Sequence, residues 1–332
     1  MNYTEKTSIT EKNTTIKNHL PNIGIERLED EIFRGLKANP KYISPKYFYD
    51  KRGSELFEMI TKLDEYYPTR TEKSILSTVA NKLNLDFSNI SIIELGSGDA
   101  SKIRLILDQI PKDLIGKVRY YPIDISQSAI EKSSEILSNE FPTISINGIV
   151  ADFLHQKIWV PDSCNKLFCF FGSTIGNMNI SEIKEFMELL GSEMEIGDSL
   201  LLGMDMVKDL NVLERAYNDE KGITAEFNKN ILNVLNNLVG TDFNPEEFEH
   251  VALYNREKER IEMHLRAIND MIISINSGYD DIHINNGETI HTENSHKFNN
   301  QSIMNFGLWA GLKVEKILTD EKQWFSLVHY KK

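Results

Sequence analysis

The segment Ser91-Ile92-Ile93-Glu94-Leu95-Gly96-Ser97-Gly98-Asp99-Ala100-Ser101-Lys102 constrains this chain more than any other. An apolar run stops at a glycine turn, and helical spacing resumes from Ile103 to Ile110. That is a strand, a tight loop and a helix start, the unit in which α/β folds hold nucleotide-like ligands at a helix N-terminus. The glycines matter because a side chain there would keep the backbone away from a ligand.

The loop narrows the ligand. It lacks the Gly-Lys-Ser/Thr ending of a phosphate loop, and Gly96-Ser97-Gly98 is not completed by the third glycine of the dinucleotide pattern. Glu94 just before the turn would repel a pyrophosphate, whereas a carboxylate suits a ligand carrying positive charge. S-adenosylmethionine, with a sulfonium and an ammonium, is such a ligand. The next strand, Val118 to Asp124, ends in an acid and is followed by a helix from Ser126 to Leu137. An acid roughly 20 residues or more beyond the first loop is the usual acceptor for ribose hydroxyls, so Asp124 takes that role. Asp152 follows the apolar pair Ile149-Val150 and is assigned to the adenine amino group.

At 332 residues the chain is long enough for one large domain or two ordinary ones. Its formal net charge of -13 argues against nucleic acid as partner, since phosphate backbones need clustered Lys and Arg. No apolar stretch reaches the roughly 20 residues of a membrane span, and Met1 to Asn18 lacks the apolar centre of a signal peptide. The expectation is therefore a cytoplasmic protein without a membrane partner. Cys164 and Cys169 read as buried thiols of a reducing compartment, and no His or Cys cluster completes a metal set.

Residues 1–20, rich in Thr, Asn and Lys, read as a disordered leader. Glu26 to Leu36 has helical spacing, Pro45 to Tyr49 forms an aromatic loop, and Ser54 to Lys62 is a short amphipathic helix. Tyr66 to Arg70 breaks that helix, and Thr71 is expected to cap the next one, which runs to about Leu83. From Ile92 to about Met206 strands and helices alternate, which predicts a parallel sheet covered on both faces. Val212 to Leu238 reads as largely helical, and Ile261 to Ile268 alternates as a half-buried strand. Asn285-Asn286-Gly287 is a turn, and Leu312 to Leu318 and Trp324 to Tyr330 are two closing strands, the last antiparallel. His264, His291 and His296 alternate with polar residues and are expected to face solvent.

Six segments carry a resemblance: Tyr47-Phe48-Tyr49-Asp50, Glu65 to Arg70, Glu94 to Gly98, Gly172-Ser173-Thr174-Ile175-Gly176-Asn177, Arg215-Ala216-Tyr217-Asn218-Asp219, and Thr292-Glu293-Asn294-Ser295-His296-Lys297-Phe298. From about residue 26 onward the chain resembles the S-adenosylmethionine-dependent histidine Nα-methyltransferases of ergothioneine biosynthesis. The resemblance implies an α/β fold, a Rossmann-like class I methyltransferase sheet with a second, α+β substrate-binding domain. Residues 71–206 and 299–332 would then bind the cofactor, and residues 21–70 and 207–298 the substrate. It also implies that Tyr49, Gly96 and Lys102 hold the methionine part of S-adenosylmethionine, with Asp124, Asp152 and Phe153 around ribose and adenine. Asn177 and Tyr217, the residues assigned to catalysis, would hold the amino acid's backbone groups. Tyr66, Met263, Glu293 and Ser295 would form the side-chain pocket, an imidazole needing an acceptor on one side and a flexible hydroxyl on the other. Asn294 stands where the pattern expects an apolar residue.

The reaction so implied is an in-line attack of the substrate α-nitrogen on the sulfonium methyl, three times over, giving trimethylhistidine (hercynine). Holding the reacting atoms in line supplies up to about 7 to 11 kcal/mol in well-oriented systems. The amine either binds neutral or loses its proton to water, and aromatic faces such as Tyr49 and Phe48 would tolerate the growing cation. Two alternatives stay open on the sequence: an N-methyltransferase of the same fold acting on another amino acid or amine, and a non-catalytic sensor of S-adenosylmethionine or an amino acid. The partner is a small molecule, and a monomer is expected because no long apolar surface stripe stands out.

Overall fold

The computed structural model describes residues 7–11, 13–20, 25–83, 85–154, 156, 160, 165–275 and 279–332. Cys164 lies outside them. The strands of the first half are β1 (Thr7–Glu11), β2 (Thr14–Asn18), β3 (Lys41–Tyr42), β4 (Ile90–Leu95), β5 (Arg119–Asp124), β6 (Ser145–Val150), β7 (Asn165–Phe170) and β8 (Ser199–Asp205). Those of the second half are β9 (Phe248–Asn255), β10 (Arg260–Ala267), β11 (Met271–Ile273), β12 (Ile282–Ile284), β13 (Thr289–His296), β14 (Lys313–Thr319) and β15 (Phe325–Lys331). The helices are α1 (Ile25–Lys37), α2 (Lys51–Ile60), α3 (Tyr67–Leu76), α4 (Val79–Leu83) and α5 (Ile103–Leu107), then α6 (Gln127–Glu140), α7 (Ile180–Glu193), α8 (Leu210–Arg215), α9 (Ile223–Val239) and α10 (Asn300–Ala310). The chain divides into two compact units, residues 1–21, 70–206 and 298–332, and residues 22–69 and 207–297.

The first unit is a nine-stranded sheet in the order β1-β2-β6-β5-β4-β7-β8-β15-β14. Strands β6, β5, β4, β7 and β8 are parallel, and β15 runs antiparallel to β8 and to β14, as expected of a Rossmann-like methyltransferase sheet. Alternation along β4 explains its uninterrupted apolarity. Ile93 and Leu95 join the core formed with α7 and α10, whereas Ile90 and Ile92 join the opposite core with α3, α4 and α5. A strand covered on both faces has no polar side to show. The chain order reverses between β4 and β7, the switch point where α/β sheets bind ligands at the carboxyl ends of their strands.

The second unit holds a four-stranded sheet, β3-β13-β10-β9, and a two-stranded ribbon, β11-β12. A register shift interrupts the β10–β13 pairing at Met263/His264. On one side of it Ile261 pairs with Ser295 and Met263 with Glu293, and on the other His264 pairs with His291. Asn228 of α9 reaches the bulge, donating to the His264 carbonyl at 3.0 Å and accepting the Thr292 hydroxyl at 2.7 Å.

The structure corrects several sequence expectations. Described residues of the expected leader form β1 and β2, and β2 pairs in parallel with β6. The reason is one apolar residue in a polar stretch, since Ile16 is buried against Ile130 and Val150. Thr71 lies inside α3, which starts earlier at Tyr67 with Pro68 in its first turn, where a missing N–H costs nothing. The long helix expected from Val212 is two helices separated by a turn that carries Tyr217. The three histidines are not solvent-facing. His296 is buried, and His264 and His291 are half-buried with rings 5.0 Å apart. Burial, its largest cause, pushes His291 and His296 down to about 4.

Among the described residues no helix is long and apolar enough to cross a membrane. Replacing Ile16 by Ala should cost roughly 2 to 4 kcal/mol of stability. Denaturant unfolding checks this, and an unchanged midpoint would mean that the terminal hairpin adds nothing to the first unit.

Candidate functional site

Functional side chains collect in two places, one in each unit. In the first unit they surround the carboxyl ends of β4, β5 and β7. Gly96 and Gly98 take φ values of +68° and +52°, which side chains rarely adopt. The Gly96 N–H donates to the Ile123 carbonyl at 2.8 Å, and a Cβ on Gly98 would meet nothing within 4 Å, so the loop presents bare backbone. Asp124 closes β5 with both oxygens engaged, accepting from the Gly98 N–H at 3.1 Å and the Ser126 N–H at 2.9 Å. Burial raises its pKa above the ordinary carboxylate value. Asp152 is half-buried and accepts from the Leu154 N–H at 3.2 Å. Phe153 packs edge-on against Phe170 and lies 3.8 Å from the position of a Cβ on Gly96.

The residue that organises this end of the sheet is Glu72, which the sequence reading did not select. Fully buried on α3, it accepts the Gly172 N–H with both oxygens, at 2.8 and 2.9 Å, and pairs with the Lys102 ammonium at 2.9 Å. Lys102 follows β4 and Gly172 follows β7, so one carboxylate ties together the two loops of the switch point. The space is reserved by Gly203 on β8, where a Cβ would come within 2.2 Å of Glu72 Oε1. The signal was present in the helix pattern, because Glu72 shares the apolar face of Ile75, Leu76 and Val79.

Glu94 turns out differently from the sequence reading. It is buried and accepts the Tyr120 hydroxyl at 2.5 Å, and burial pushes its carboxyl up to about 8. At neutral pH it is mostly protonated, so it is a structural acid rather than a charge offered to a ligand. Beyond β7, Ser173 sits in the left-handed region at φ +56°, and its Oγ accepts the Asp205 N–H at 2.9 Å. That anchor starts the single 3-10 turn Thr174–Asn177, which ends on a half-buried Asn177.

In the second unit the side chains of Met263, Glu293 and Ser295 share one face of the β10–β13 pair, all buried. The Tyr217 hydroxyl meets Ser295 Oγ at 2.7 Å, and its ring packs edge-on against Tyr66 with centroids 6.1 Å apart. Asp219 fixes the turn by capping α9, accepting from the N–H groups of Ile223 and Thr224 at 2.9 and 2.8 Å. Burial pushes Glu293 up to about 7, and the charge of Lys297 works against that rise. The aromatic loop divides its roles. Tyr49 is 42 % exposed, whereas Phe48 is fully buried and stacked on Phe227 at 4.5 Å, so Phe48 presents no face to a ligand.

Among the described residues no group of His, Cys, Asp and Glu could hold a metal ion. An S-adenosyl ligand fits the first-unit residues, which combine an open glycine loop, a carboxylate at the end of the second strand of the βαβ unit and an aromatic ring beside the loop.

Glu72→Ala strips the partner from Lys102 and from a buried N–H, and should cost about 2 to 3 kcal/mol in chemical denaturation. For Glu94, unfolding releases a proton that the folded state retains between its ordinary value near 4.5 and about 8. Stability is thus undiminished below that window and lost as pH rises through it. Glu94→Gln should therefore gain on the wild type in thermal midpoint from pH 5 to pH 8, and a gap that stays constant over that range would contradict the assignment.

Known proteins are similar to this chain over most of its length. The model of the family described as histidine-specific methyltransferase, SAM-dependent, matches residues 28–332. The chain is 38% identical over 302 residues to the histidine N-alpha-methyltransferase of Mycolicibacterium smegmatis, covering 91% of this chain and 94% of that one. It is 38% identical over 314 residues to the enzyme of the same name from Mycobacterium tuberculosis, covering 94% and 98%. It is also similar to ergothioneine biosynthesis protein 1 of Neurospora crassa, at 33% identity over 210 residues, 61% of this chain and 24% of that protein.

Proposed function

The chain belongs to the histidine-specific, S-adenosylmethionine-dependent methyltransferases, and from that premise we propose that it methylates the α-nitrogen of L-histidine three times, giving trimethylhistidine (hercynine) for ergothioneine biosynthesis. One observation carries the choice of substrate. A buried carboxylate and a buried hydroxyl, Glu293 and Ser295, stand two residues apart on one face of β13. An imidazole offers one N–H and one lone pair, and this pair matches it with an acceptor and a group able to donate.

Bound S-adenosylmethionine supplies a methyl group on a positively charged sulfur that a free amine displaces. Asp124 is the acceptor for its ribose hydroxyls and Asp152 for its adenine amino group, with Phe153 against the base. Lys102, held by Glu72, Gly96 and the exposed Tyr49 are assigned to its methionine end. Asn177 and Tyr217 hold the amino acid's backbone groups, and Tyr66 and Met263 wall its ring. None of these side chains is a histidine base, so the attacking amine enters neutral or gives its proton to water. The net charge of -13 favours a small-molecule substrate over nucleic acid, and a monomeric cytoplasmic enzyme is part of the same reading.

Mass spectrometry of the protein incubated with S-adenosylmethionine and single amino acids tests the proposal. The expected result is a gain of three methyl groups on histidine alone. Glu293→Ala should lower kcat/KM for histidine roughly 100-fold or more, because removing the partner of a recognised N–H leaves it buried and unpaired. Methylation of a different amino acid, with histidine untouched, would defeat the assignment of the pocket.

A further inference from the structure

Gln156 belongs to none of the motifs, yet in the first unit it holds both main-chain polar groups of Asp152. Its backbone N–H donates to the Asp152 carbonyl at 2.9 Å, and its side-chain Oε1 accepts the Asp152 N–H at 2.8 Å. The loop from Asp152 to Gln156, which carries Phe153, is thereby closed on itself.

The other end of the same amide reaches the N-terminal segment. Gln156 Nε2 donates to the His19 carbonyl at 3.1 Å, and the His19 N–H donates to the Val150 carbonyl at 2.8 Å. Strands β2 and β6 are parallel, with Asn18 opposite Val150. In a parallel ladder a residue donates to one carbonyl of the partner strand and accepts from the N–H two residues further along it. His19 donates to Val150, so regular pairing would bring the Asp152 N–H to the His19 carbonyl. The Gln156 amide stands between those two groups, accepting from one and donating to the other. The ladder is continued through a side chain, and the groups on both sides of the gap stay bonded. On its other flank the segment is tied to β5, because the Ala151 N–H donates to the Asp124 carbonyl at 3.0 Å.

We propose that Gln156 is a positioning residue for the adenine of S-adenosylmethionine, acting through Asp152, and that it makes β2 part of the frame of the cofactor site. This rests on the reading that Asp152 accepts from the adenine amino group. A directional contact of that kind needs a backbone that cannot turn, and hydrogen bonds from neighbouring residues are what hold it still. Asp152 has its own N–H and carbonyl held by one residue, and the residue before it is held by β5. Phe153, assigned to the face of the base, is the next residue in the same closed loop, so a shift of the loop would disturb both contacts of the base together. The far end of the brace is the His19 carbonyl. Whatever fixes Asp152 therefore also steadies the end of β2, and such linkage is reciprocal.

Isothermal titration calorimetry tests the proposal with S-adenosylhomocysteine and with its analogue in which purine replaces adenine, so that the amino group is missing. The wild type should bind the analogue about tenfold more weakly or worse, the cost of one hydrogen bond to a carboxylate. Gln156→Met keeps the length of the side chain and removes its amide. In that variant the ratio of the two affinities should fall to about threefold or less, because the carboxylate is no longer aimed. A general loosening of the site would weaken both ligands alike and leave the ratio unchanged, which separates positioning from mere support. A wild type that binds both ligands equally would overturn the reading of Asp152 and, with it, the role of Gln156. Discrimination that survives intact in Gln156→Met would leave Asp152 in its role and overturn that of Gln156.

Hydrogen exchange of the unaltered full chain gives a second reading that does not depend on the variant folding. S-adenosylhomocysteine should slow exchange of the amides of residues 14–20, which carry none of the assigned ligand contacts. Protection of the loop after β4 with residues 14–20 exchanging as in the free protein would remove β2 from the cofactor site.

Discussion

A single buried carboxylate on α3 ties together the loops at the carboxyl end of the first unit's parallel sheet. The parallel sheet brings the ends of β4 and β7 side by side, but strand pairing stops where the loops begin. Glu72 continues the connection by other means, taking the amide of Gly172 and the ammonium of Lys102 at once. A buried charge is tolerated only when paired and hydrogen-bonded, and here the pairing is also the positioning. Gly203 belongs to the same arrangement, because β8 must leave room for the carboxylate. The loop that bears Asn177 leaves the same strand end, one residue after Gly172.

The second unit solves a different problem. Its sheet needs polar groups inside, and unpaired polar atoms are costly there. The solution is a set of side chains that satisfy each other across elements: Asn228 with Thr292 and the His264 carbonyl, and Tyr217 with Ser295 and Lys297. The bulge at Met263/His264 sorts the faces. It lets His264 and His291 share one face while Met263, Glu293 and Ser295 share the other, so three half-buried or buried histidines sit apart from the proposed pocket. Their depressed protonation fits that separation, since desolvation leads the causes in each.

Much of the fold could be read from local patterns. Apolar runs locate β4 and β5, and the helix expected from Ser126 is α6, whose first turn Ser126 caps by accepting from the Ala129 N–H. The readings that failed were those in which a distant contact outweighs composition. The Thr- and Asn-rich start has the composition of a disordered segment, yet Ile16 finds a buried place beside β6. The histidines of β10 and β13 looked like a polar face, and only the pairing of those strands with their neighbours reveals how far they are covered. Phe48 and Tyr49 are adjacent in sequence and part company in space, one stacked inside on Phe227 and the other exposed.

The sequence by itself determined the class of ligand site and the family. A glycine turn after a buried strand, an acid ending the next strand and six unusual segments are local properties, and local stereochemistry specifies them. Tertiary structure decided the state of each charged group. Glu94 lies in the first motif but is buried on Tyr120 and mostly neutral, Glu72 has no motif but carries the pairing, and Lys297 meets Ser295 and Tyr217 only because a turn more than seventy residues earlier in the chain is held against β13. Desolvation and partner geometry set protonation and hydrogen-bond direction, and both arise from residues distant in sequence that folding brings within about 3 Å of one another.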